Sequence, residues 1–272
     1  MRDYHMHSHF CRHAVGGLGE YARVARARGM TEICFTPHIP LPGFRPGFLD
    51  DRLRMDEREF DSYLEELEET RAAFPDLTIL SGVEADYIPA MEGWIGRFIA
   101  SNRFDFVLMS IHFVSTWDDD EWTFDFANHR SLSFAYADYF REMLAGMRTG
   151  LFDCVAHLDL IKKPGRPVLE TNGADVEEVL QECRSRGISA EINTSGRRKA
   201  IAETYPCDEI IKLMIDRDVD IVTGSDAHAP SQVGMHFDSL RTYGDRLTRR
   251  LVSYRARVKE RIPSTRASAG LG

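Results

Sequence analysis

The chain has 272 residues, of which 43% are hydrophobic, and its formal net charge at pH 7 is -9. This length can bury the core of one large domain, and the acidic balance argues against nucleic acid as the main partner, because that affinity depends on clustered lysine and arginine. The sequence shows neither a signal-peptide pattern nor an apolar run of about 18 residues, so we expect a cytoplasmic protein without a membrane partner. The five cysteines form no CxxC pair and do not indicate a disulfide framework.

Short β-like runs alternate with amphipathic helical stretches along the chain, an order that predicts a parallel α/β fold. The predicted strands are "RDYHMH", "TEICFTPH", "LTILSGVEAD", "FDFVLMSIHF", "FDCVAHLD", "ISAEINTS" and "DIVTGSDAH". The predicted helices are "EYARVARARG", "EREFDSYLEELEETRAAF", "RSLSFAYADYFREMLAGMRTG", "DVEEVLQECRSRG" and "DEIIKLMIDRD". With no interdomain linker in the sequence, we predict one domain over residues 1–262 and a flexible tail over 263–272.

Two long stretches between these elements are predicted to be loops. The first, "PHIPLPGFRPGF" over residues 37–48, is rich in proline and glycine. The second, "TWDDDEWTFDFANHR" over residues 116–130, is acidic and aromatic. Long loops in compact domains often carry function, so we expect both to be lids or walls of a site.

Metal-type residues cluster at the predicted strand ends. Four histidines fall within the first 13 residues, and side-chain alternation along a strand would put the first three of them on one side. The remaining residues of this kind fall at the C-terminal ends of the later strands, which is the rim where parallel α/β folds build their active sites. The full set is His5, His7, His9, His13, His38, Glu84, His112, His157, Asn193, Asp226 and His228.

Each of these residues, taken alone, also has a structural explanation. His112 could be a buried histidine bonded to the backbone, and Glu84 or Asp226 could cap a following helix. Their joint position at one rim favours metal binding. Imidazoles with carboxylates and without paired cysteines suit catalytic zinc, manganese or iron, and even seven of these eight histidines, with the two carboxylates, exceed what one ion can take.

The ordered motifs resemble those of the polymerase and histidinol phosphatase (PHP) phosphoesterase family, and within it the histidinol-phosphate phosphatases, over residues 3 to about 230. The motifs are "HMH" followed by His13, then "TPHIP", "GVEAD", "SIHF", "AHLD", "EINTSG" and "SDAH". The resemblance implies a distorted (β/α)7 barrel with a centre of three divalent metal ions at its C-terminal rim. This sequence departs from the family's usual pattern at two positions. It has Pro37 where an acidic residue is frequent in the family, and Arg197 where an apolar residue is expected.

The same resemblance implies three groups of ligands, two of which share the carboxylate of Glu84. His5, His7, Glu84 and Asp226 would hold the first ion, Glu84 with His112 and His157 the second, and His13, His38 and His228 the third. His9 is left over and is interpreted as a supporting or substrate-contacting residue.

Such a centre suits a phosphomonoester, since the charge of the ions dominates the site. A water shared by two ions loses its proton near neutral pH and can attack phosphorus. We expect catalytic roles for Glu84, Asp226 and His228, with Asp226, His228 or His9 as the proton donor for the leaving alcohol. The predicted substrate contacts are Arg198, or less favourably Arg197 or Lys199, together with Asn193, His9 and Trp117.

The activity implied by the resemblance is hydrolysis of L-histidinol phosphate to histidinol and phosphate. The acidic and aromatic loop could hold the ammonium and imidazole groups of that substrate by charge pairing and stacking. Three alternatives stay open. The substrate could be another small phosphomonoester or a nucleotide, the chain could be a metal-dependent binding module without turnover, or it could be an amidohydrolase-like barrel, which would explain neither His13, Glu84 nor His228.

Overall fold

Seven parallel strands form one sheet in the computed structural model, which describes residues 1–42, 53–117, 123, 131–163 and 168–262. The strands are β1 Arg2–Asp3, β2 Glu32–Phe35, β3 Thr78–Asp86, β4 Phe106–Ser110, β5 Cys154–Val155, β6 Ser189–Asn193 and β7 Ile221–Gly224. Their order in the sheet is their order in the chain. The two edges also meet, because the Tyr4 amide donates to the Thr223 carbonyl at 2.9 Å and Met6 forms a parallel bridge with Ala227. The fold is a nearly closed barrel, which confirms the expectation from the family resemblance.

Helices connect the successive strands and cover the outside of the barrel. They are α1 Leu18–Ala27, α2 Phe60–Ala73, α3 Glu92–Ser101, α4 Leu132–Arg148, α5 Leu169–Arg186, α6 Asp208–Asp216 and α7 Gly244–Thr248. Five of them agree with predicted helices. The sequence did not predict α3 and α7. Helix α3 contains two glycines, which lowers its helical propensity, and it is stabilised instead by the burial of Ile95, Phe98 and Ile99.

A C-terminal hairpin closes the end of the barrel at which the strands begin. Its strands are β8 Val252–Arg255 and β9 Val258–Arg261. Tyr254 packs into a buried apolar cluster inside the barrel, and its hydroxyl lies 2.7 Å from Ser189 Oγ at the start of β6. The opposite rim, at which the strands end, is therefore the open end.

The predicted long loops and the tail lie largely outside the described residues. This applies to residues 43–48 of the first loop, to residues 118–122 and 124–130 of the second, and to the tail 263–272. Within the described part of the chain, no helix combines the length and apolar character needed to cross a bilayer.

Candidate metal centre

The strand ends bring all nine predicted ligand residues into one cluster. Glu84 lies within β3, and the other eight follow the ends of their strands or the connection after β1. Parallel pairing sets the register, since His38, three residues after the end of β2, forms a parallel bridge with Glu84. Among the described residues, buried or partly buried groups of metal-binding type occur in four combinations: His5, His7 and Glu84; Glu84, His112 and His157; His7, His38 and His228; and His38, Asp86 and His112.

Glu84 occupies the middle of the cluster. Its Oε2 atom lies 3.1 Å from His38 Nδ1 and 3.3 Å from His5 Nε2. Its Oε1 atom lies 3.1 Å from His157 Nε2 and 3.9 Å from His112 Nε2. The two oxygens of one carboxylate thus face two different sets of histidines, which is the arrangement that a bridging ligand requires.

Asp226 and His228 complete the cluster from the end of β7. Asp226 Oδ1 lies 3.3 Å from His7 Nε2 and 3.3 Å from His228 Nδ1. His228 Nε2 lies 2.8 Å from His13 Nε2, and the rings of His228 and His7 stack with centroids 4.2 Å apart. His13 therefore joins the cluster through His228.

The nitrogen atoms of the cluster fit metal coordination better than mutual hydrogen bonding. His5 Nε2 and His7 Nε2 face each other at 3.2 Å. Two ligands bound to one zinc ion with bonds of about 2.0 to 2.1 Å lie about 3.3 Å apart in tetrahedral geometry. His38 Nδ1 is buried and makes no hydrogen bond to any described residue although it lies close to Glu84. A divalent ion would satisfy such converging lone pairs.

Buried groups behind the histidines fix their orientation. Glu191 Oε1 lies 2.8 Å from His5 Nδ1, and Asp86 Oδ1 lies 2.8 Å from His112 Nδ1. A carboxylate bonded to Nδ1 leaves Nε2 unprotonated and free to bind metal. The sequence interpretation missed both carboxylates. Alternation along the strands could have found them, because Asp86 stands two residues after Glu84 and Glu191 two residues before Asn193.

Cys11 has a comparable position behind His7. Its Sγ atom lies 3.3 Å from His7 Nδ1 and accepts a hydrogen bond from the His38 amide at 3.3 Å. Burial raises the pKa of the Cys11 thiol to about 12, so the group stays neutral. It acts as a small polar support rather than as a thiolate ligand.

The electrostatics of the cluster keep the carboxylates ionised and the imidazoles of His13 and His228 neutral. Burial alone would raise the pKa of Glu84, but His38 and His5 outweigh it and the pKa falls well below its ordinary value. Burial, followed by the nearby imidazoles, lowers the pKa of His13 and of His228 to about 4. Neutral imidazole and ionised carboxylate are the forms that bind metal.

Two of the candidate ligands have unusual backbone conformations. Asp226 has φ 50° and His157 has φ 21°, values that residues other than glycine seldom adopt. Arg198 supports the first of them, because its Nη2 atom donates to the carbonyls of Ser225 and Asp226, each at 2.9 Å. Strain of this kind persists where the surrounding structure enforces it, commonly at functional sites.

A cavity opens above the cluster. Besides the cluster residues and Asp86, its described wall includes Leu53, Arg54, Leu160, Lys163, Ser195, Lys199 and Tyr205. Arg54 is buried and forms an ion pair with Asp86. Of the three basic residues at 197–199 that the sequence offered for substrate binding, only Lys199 lies on this wall.

The other predicted substrate contacts lie elsewhere. His9 is exposed, with its Nε2 atom 3.6 Å from Glu66, and Arg197 points to Asp208 at 3.8 Å. Trp117 is buried and donates from Nε1 to Asp138 at 3.3 Å. Arg198 is engaged with the backbone carbonyls already described.

Asn193 is buried beneath the cluster rather than on the cavity wall. Its Nδ2 atom donates to Glu191 Oε2 at 3.2 Å and to Asp226 Oδ2 at 3.4 Å. It therefore ties the end of β6 to the residues after β7.

Comparison with known proteins gives consistent matches. Residues 3–195 match the family model of the PHP domain. A Deinococcus radiodurans protein named "Probable histidinol-phosphatase" is 33% identical over 238 residues, covering 86% of this chain and 89% of that protein. A Lactococcus lactis protein named "Histidinol-phosphatase" is 27% identical, with 88% of each chain covered.

A solved structure shows the same fold. It is that of histidinol phosphate phosphatase from Lactococcus lactis in complex with zinc, L-histidinol and phosphate. The TM-score is 0.79 at 22% identity, with 96% of this chain and 98% of that chain covered.

Proposed function

The chain belongs to the PHP domain family, and we propose that it is a metal-dependent phosphatase that hydrolyses L-histidinol phosphate to L-histidinol and phosphate. The observation that carries the proposal is the buried cluster at the open rim, in which histidine nitrogens face one another and both oxygens of Glu84. Relatives with histidinol-phosphatase names, matched over most of their length, supply the substrate.

We assign the cluster to three divalent ions of zinc, iron or manganese. His5, His7, Glu84 and Asp226 would hold one ion, Glu84, His112 and His157 a second, and His13, His38 and His228 a third. Bound there, such ions supply positive charge for the phosphoryl oxygens and lower the pKa of water to the neutral range. Metal analysis of protein purified without chelator should give about three equivalents, and full activity with a single equivalent would contradict the assignment.

The chain's own residues hold and orient this centre. Glu84, Asp226 and His228 are the proposed catalytic residues, with Glu84 shared between two ligand groups. Since His9 lies away from the cavity, Asp226 and His228 remain as candidates for the proton that the leaving alcohol needs.

Lysines on the cavity wall are better placed for the phosphate than the arginines that the sequence suggested. Lys163 and Lys199 both line the cavity, whereas Arg198 is bonded to the carbonyls of Ser225 and Asp226. We therefore propose Lys163 and Lys199 as phosphate contacts, and Arg198 as the residue that holds Asp226 in place.

A second candidate is a PHP phosphatase that acts on a different small phosphomonoester. It is favoured by the composition of the described part of the wall, where every carboxylate belongs to the metal cluster or is paired with Arg54. The acidic residues proposed to hold the substrate's ammonium group, Asp118 to Asp120, lie outside the described residues.

Steady-state kinetics separates the two candidates. Metal-reconstituted protein should hydrolyse L-histidinol phosphate with a kcat/KM at least about tenfold above that for glycerol phosphate or a nucleoside monophosphate, because a substrate without the cation forfeits its charge pairing. Equal efficiency on all three substrates would replace the first candidate by the second.

A further inference from the structure

Tyr205 is a buried residue of the cavity wall with no assigned role in metal binding or substrate binding. It lies between β6 and α6, is 1% exposed and lines the cavity above the metal cluster. Its hydroxyl has no hydrogen-bond partner among the described residues. A buried hydroxyl left unpaired costs about 1 to 3 kcal/mol, so a partner from the cavity is expected.

The surroundings of Tyr205 hold its ring in one position. The Tyr205 backbone pairs with Asn193 in both directions, with N···O distances of 2.7 and 2.8 Å. Lys162 Nζ lies 5.5 Å from the ring centroid, within range of a cation–π contact. The ring also packs so closely on Gly196 that a Cβ atom there would lie 2.8 Å from Tyr205 Cε2.

The character of the wall around Tyr205 favours an anion. Ser195 and Lys199, from the same connection, line the cavity together with Lys163. Burial, followed by the charges of Asp159 and Asp226, raises the pKa of Tyr205 far above the physiological range, so the phenol is protonated and can donate.

We propose that the Tyr205 hydroxyl donates a hydrogen bond to a phosphoryl oxygen of the bound phosphomonoester. The inference rests on the proposed phosphatase activity but not on the identity of the alcohol. It makes Tyr205 a substrate-contacting residue that binds the phosphate together with the lysines of the wall. The competing explanation is that an ordered water molecule accepts the hydrogen bond from the Tyr205 hydroxyl and that the residue has only a structural role.

A matched pair of variants separates these explanations. Tyr205→Phe removes the hydroxyl and keeps the ring. Tyr139→Phe removes the hydroxyl of another buried tyrosine, which does not lie on the cavity wall. Calorimetric titration of metal-reconstituted protein with inorganic phosphate should show binding weakened about tenfold or more in Tyr205→Phe, the usual range for a hydrogen bond to a charged group. Tyr139→Phe should bind phosphate as the wild type does, and equal affinities in both variants would overturn the proposal.

A spectroscopic measurement keeps the test independent of turnover and of the stability of Tyr205→Phe. With 3-fluorotyrosine placed at position 205 alone, the ¹⁹F resonance of the metal-loaded protein should shift on addition of inorganic phosphate, and a label at position 139 should not respond. A resonance at 205 that stays unmoved at saturating phosphate would overturn the inference. A shift in a protein that hydrolyses no phosphomonoester would uphold the phosphate contact and overturn the proposed function.

Discussion

The carboxylate of Glu191 binds His5 with one oxygen and the connection after β5 with the other. Its Oε1 atom lies 2.8 Å from His5 Nδ1, and its Oε2 atom accepts a hydrogen bond from the His157 amide at 2.8 Å. Burial alone would lower the pKa of His5, but Glu191 and Glu84 outweigh it and raise the pKa. Because His5 and His157 belong to different proposed ligand groups, one buried carboxylate orients residues of two of these groups.

Glu191→Gln should weaken metal binding without unfolding the protein. The amide keeps the shape of the side chain but cannot accept from both the imidazole and the His157 amide. Loss of such a supporting carboxylate typically reduces metal affinity by about 10- to 100-fold. Competition with a chromophoric chelator measures the change, with Glu177→Gln as control, since Glu177 forms a surface ion pair with Arg217. Unchanged affinity in Glu191→Gln would contradict the supporting role.

Glu84→Gln should reduce activity far more than His9→Ala. Glu84 faces both sets of histidines, whereas His9 is exposed beside Glu66. We expect kcat to fall about 100-fold or more for Glu84→Gln, with loss of metal, and to stay within about twofold for His9→Ala. The measurements are initial rates and metal content by mass spectrometry. Small and equal losses in both variants would argue against Glu84 as the shared ligand.

Arg198→Ala and Lys199→Met should have different kinetic effects although the residues are neighbours. Arg198 holds the Asp226 carbonyl at 2.9 Å, so its removal should lower metal content and kcat. Lys199 lines the cavity, so its removal should raise KM about tenfold for every phosphomonoester and leave metal content unchanged. If Arg198→Ala raised only KM at full metal content, Arg198 would be the phosphate contact that the sequence suggested.

The sequence predicts the parallel α/β fold and the ligand cluster because both depend on repeated local patterns, whereas the barrel is implied by the family resemblance. Short β-like runs mark all seven strands, and each strand end places its metal-type residue at the same rim. Other parts depend on tertiary contacts that leave no such pattern. The predicted first strand, "RDYHMH", is shorter in the structure because pairing with β2 ends at Asp3 and the residues beyond it turn to contact β7.

The supporting residues were harder to predict than the ligands. Arg54 reaches Asp86 from a segment without regular structure next to residues that are not described. The sequence suggested Arg198 as a phosphate ligand because its positive charge can be read there. The two backbone carbonyls to which it donates cannot be identified from the sequence. Tyr205 stood out by no charge or spacing, and only its place on the cavity wall and its buried, unpaired hydroxyl identify it.

Glu142→Gln should remove a pH dependence of stability that does not involve the metal centre. Burial raises the pKa of Glu142, and two hydrogen bonds from Ser115, at 3.3 and 2.8 Å, offset only part of that effect. The folded state therefore holds this proton more tightly than the unfolded state. The free energy of unfolding should fall as pH rises from about 4.5 through the raised folded-state pKa.

Urea unfolding of the chelator-treated protein across this pH range tests the prediction. Glu142→Gln should lose that part of the slope and gain stability relative to the wild type at neutral pH. Glu178→Gln, in which a half-exposed partner of Arg148 is changed, should keep the wild-type slope. Identical slopes in the wild type and in Glu142→Gln would show that the proton on Glu142 is not linked to folding.

Gly224→Ala should disrupt the pairing of Glu191 with His5 from the neighbouring strand. Gly224 ends β7, and a Cβ atom there would overlap the Glu191 carboxylate and lie 2.6 Å from His5 Cβ. Overpacking of a buried site costs about 1 to 3 kcal/mol, so we expect a comparable loss of stability together with weaker metal binding. Gly19→Ala is the control, because no atom lies within 4 Å of its added Cβ.

If the alanine at 224 weakens metal binding by displacing Glu191, its effect should not add to that of Glu191→Gln in the double variant, since changes that act through one contact are not additive. Fully additive losses would mean that Gly224 acts on His5 directly, and unchanged metal affinity in Gly224→Ala would mean that the close approach of Glu191 to β7 is not needed for binding.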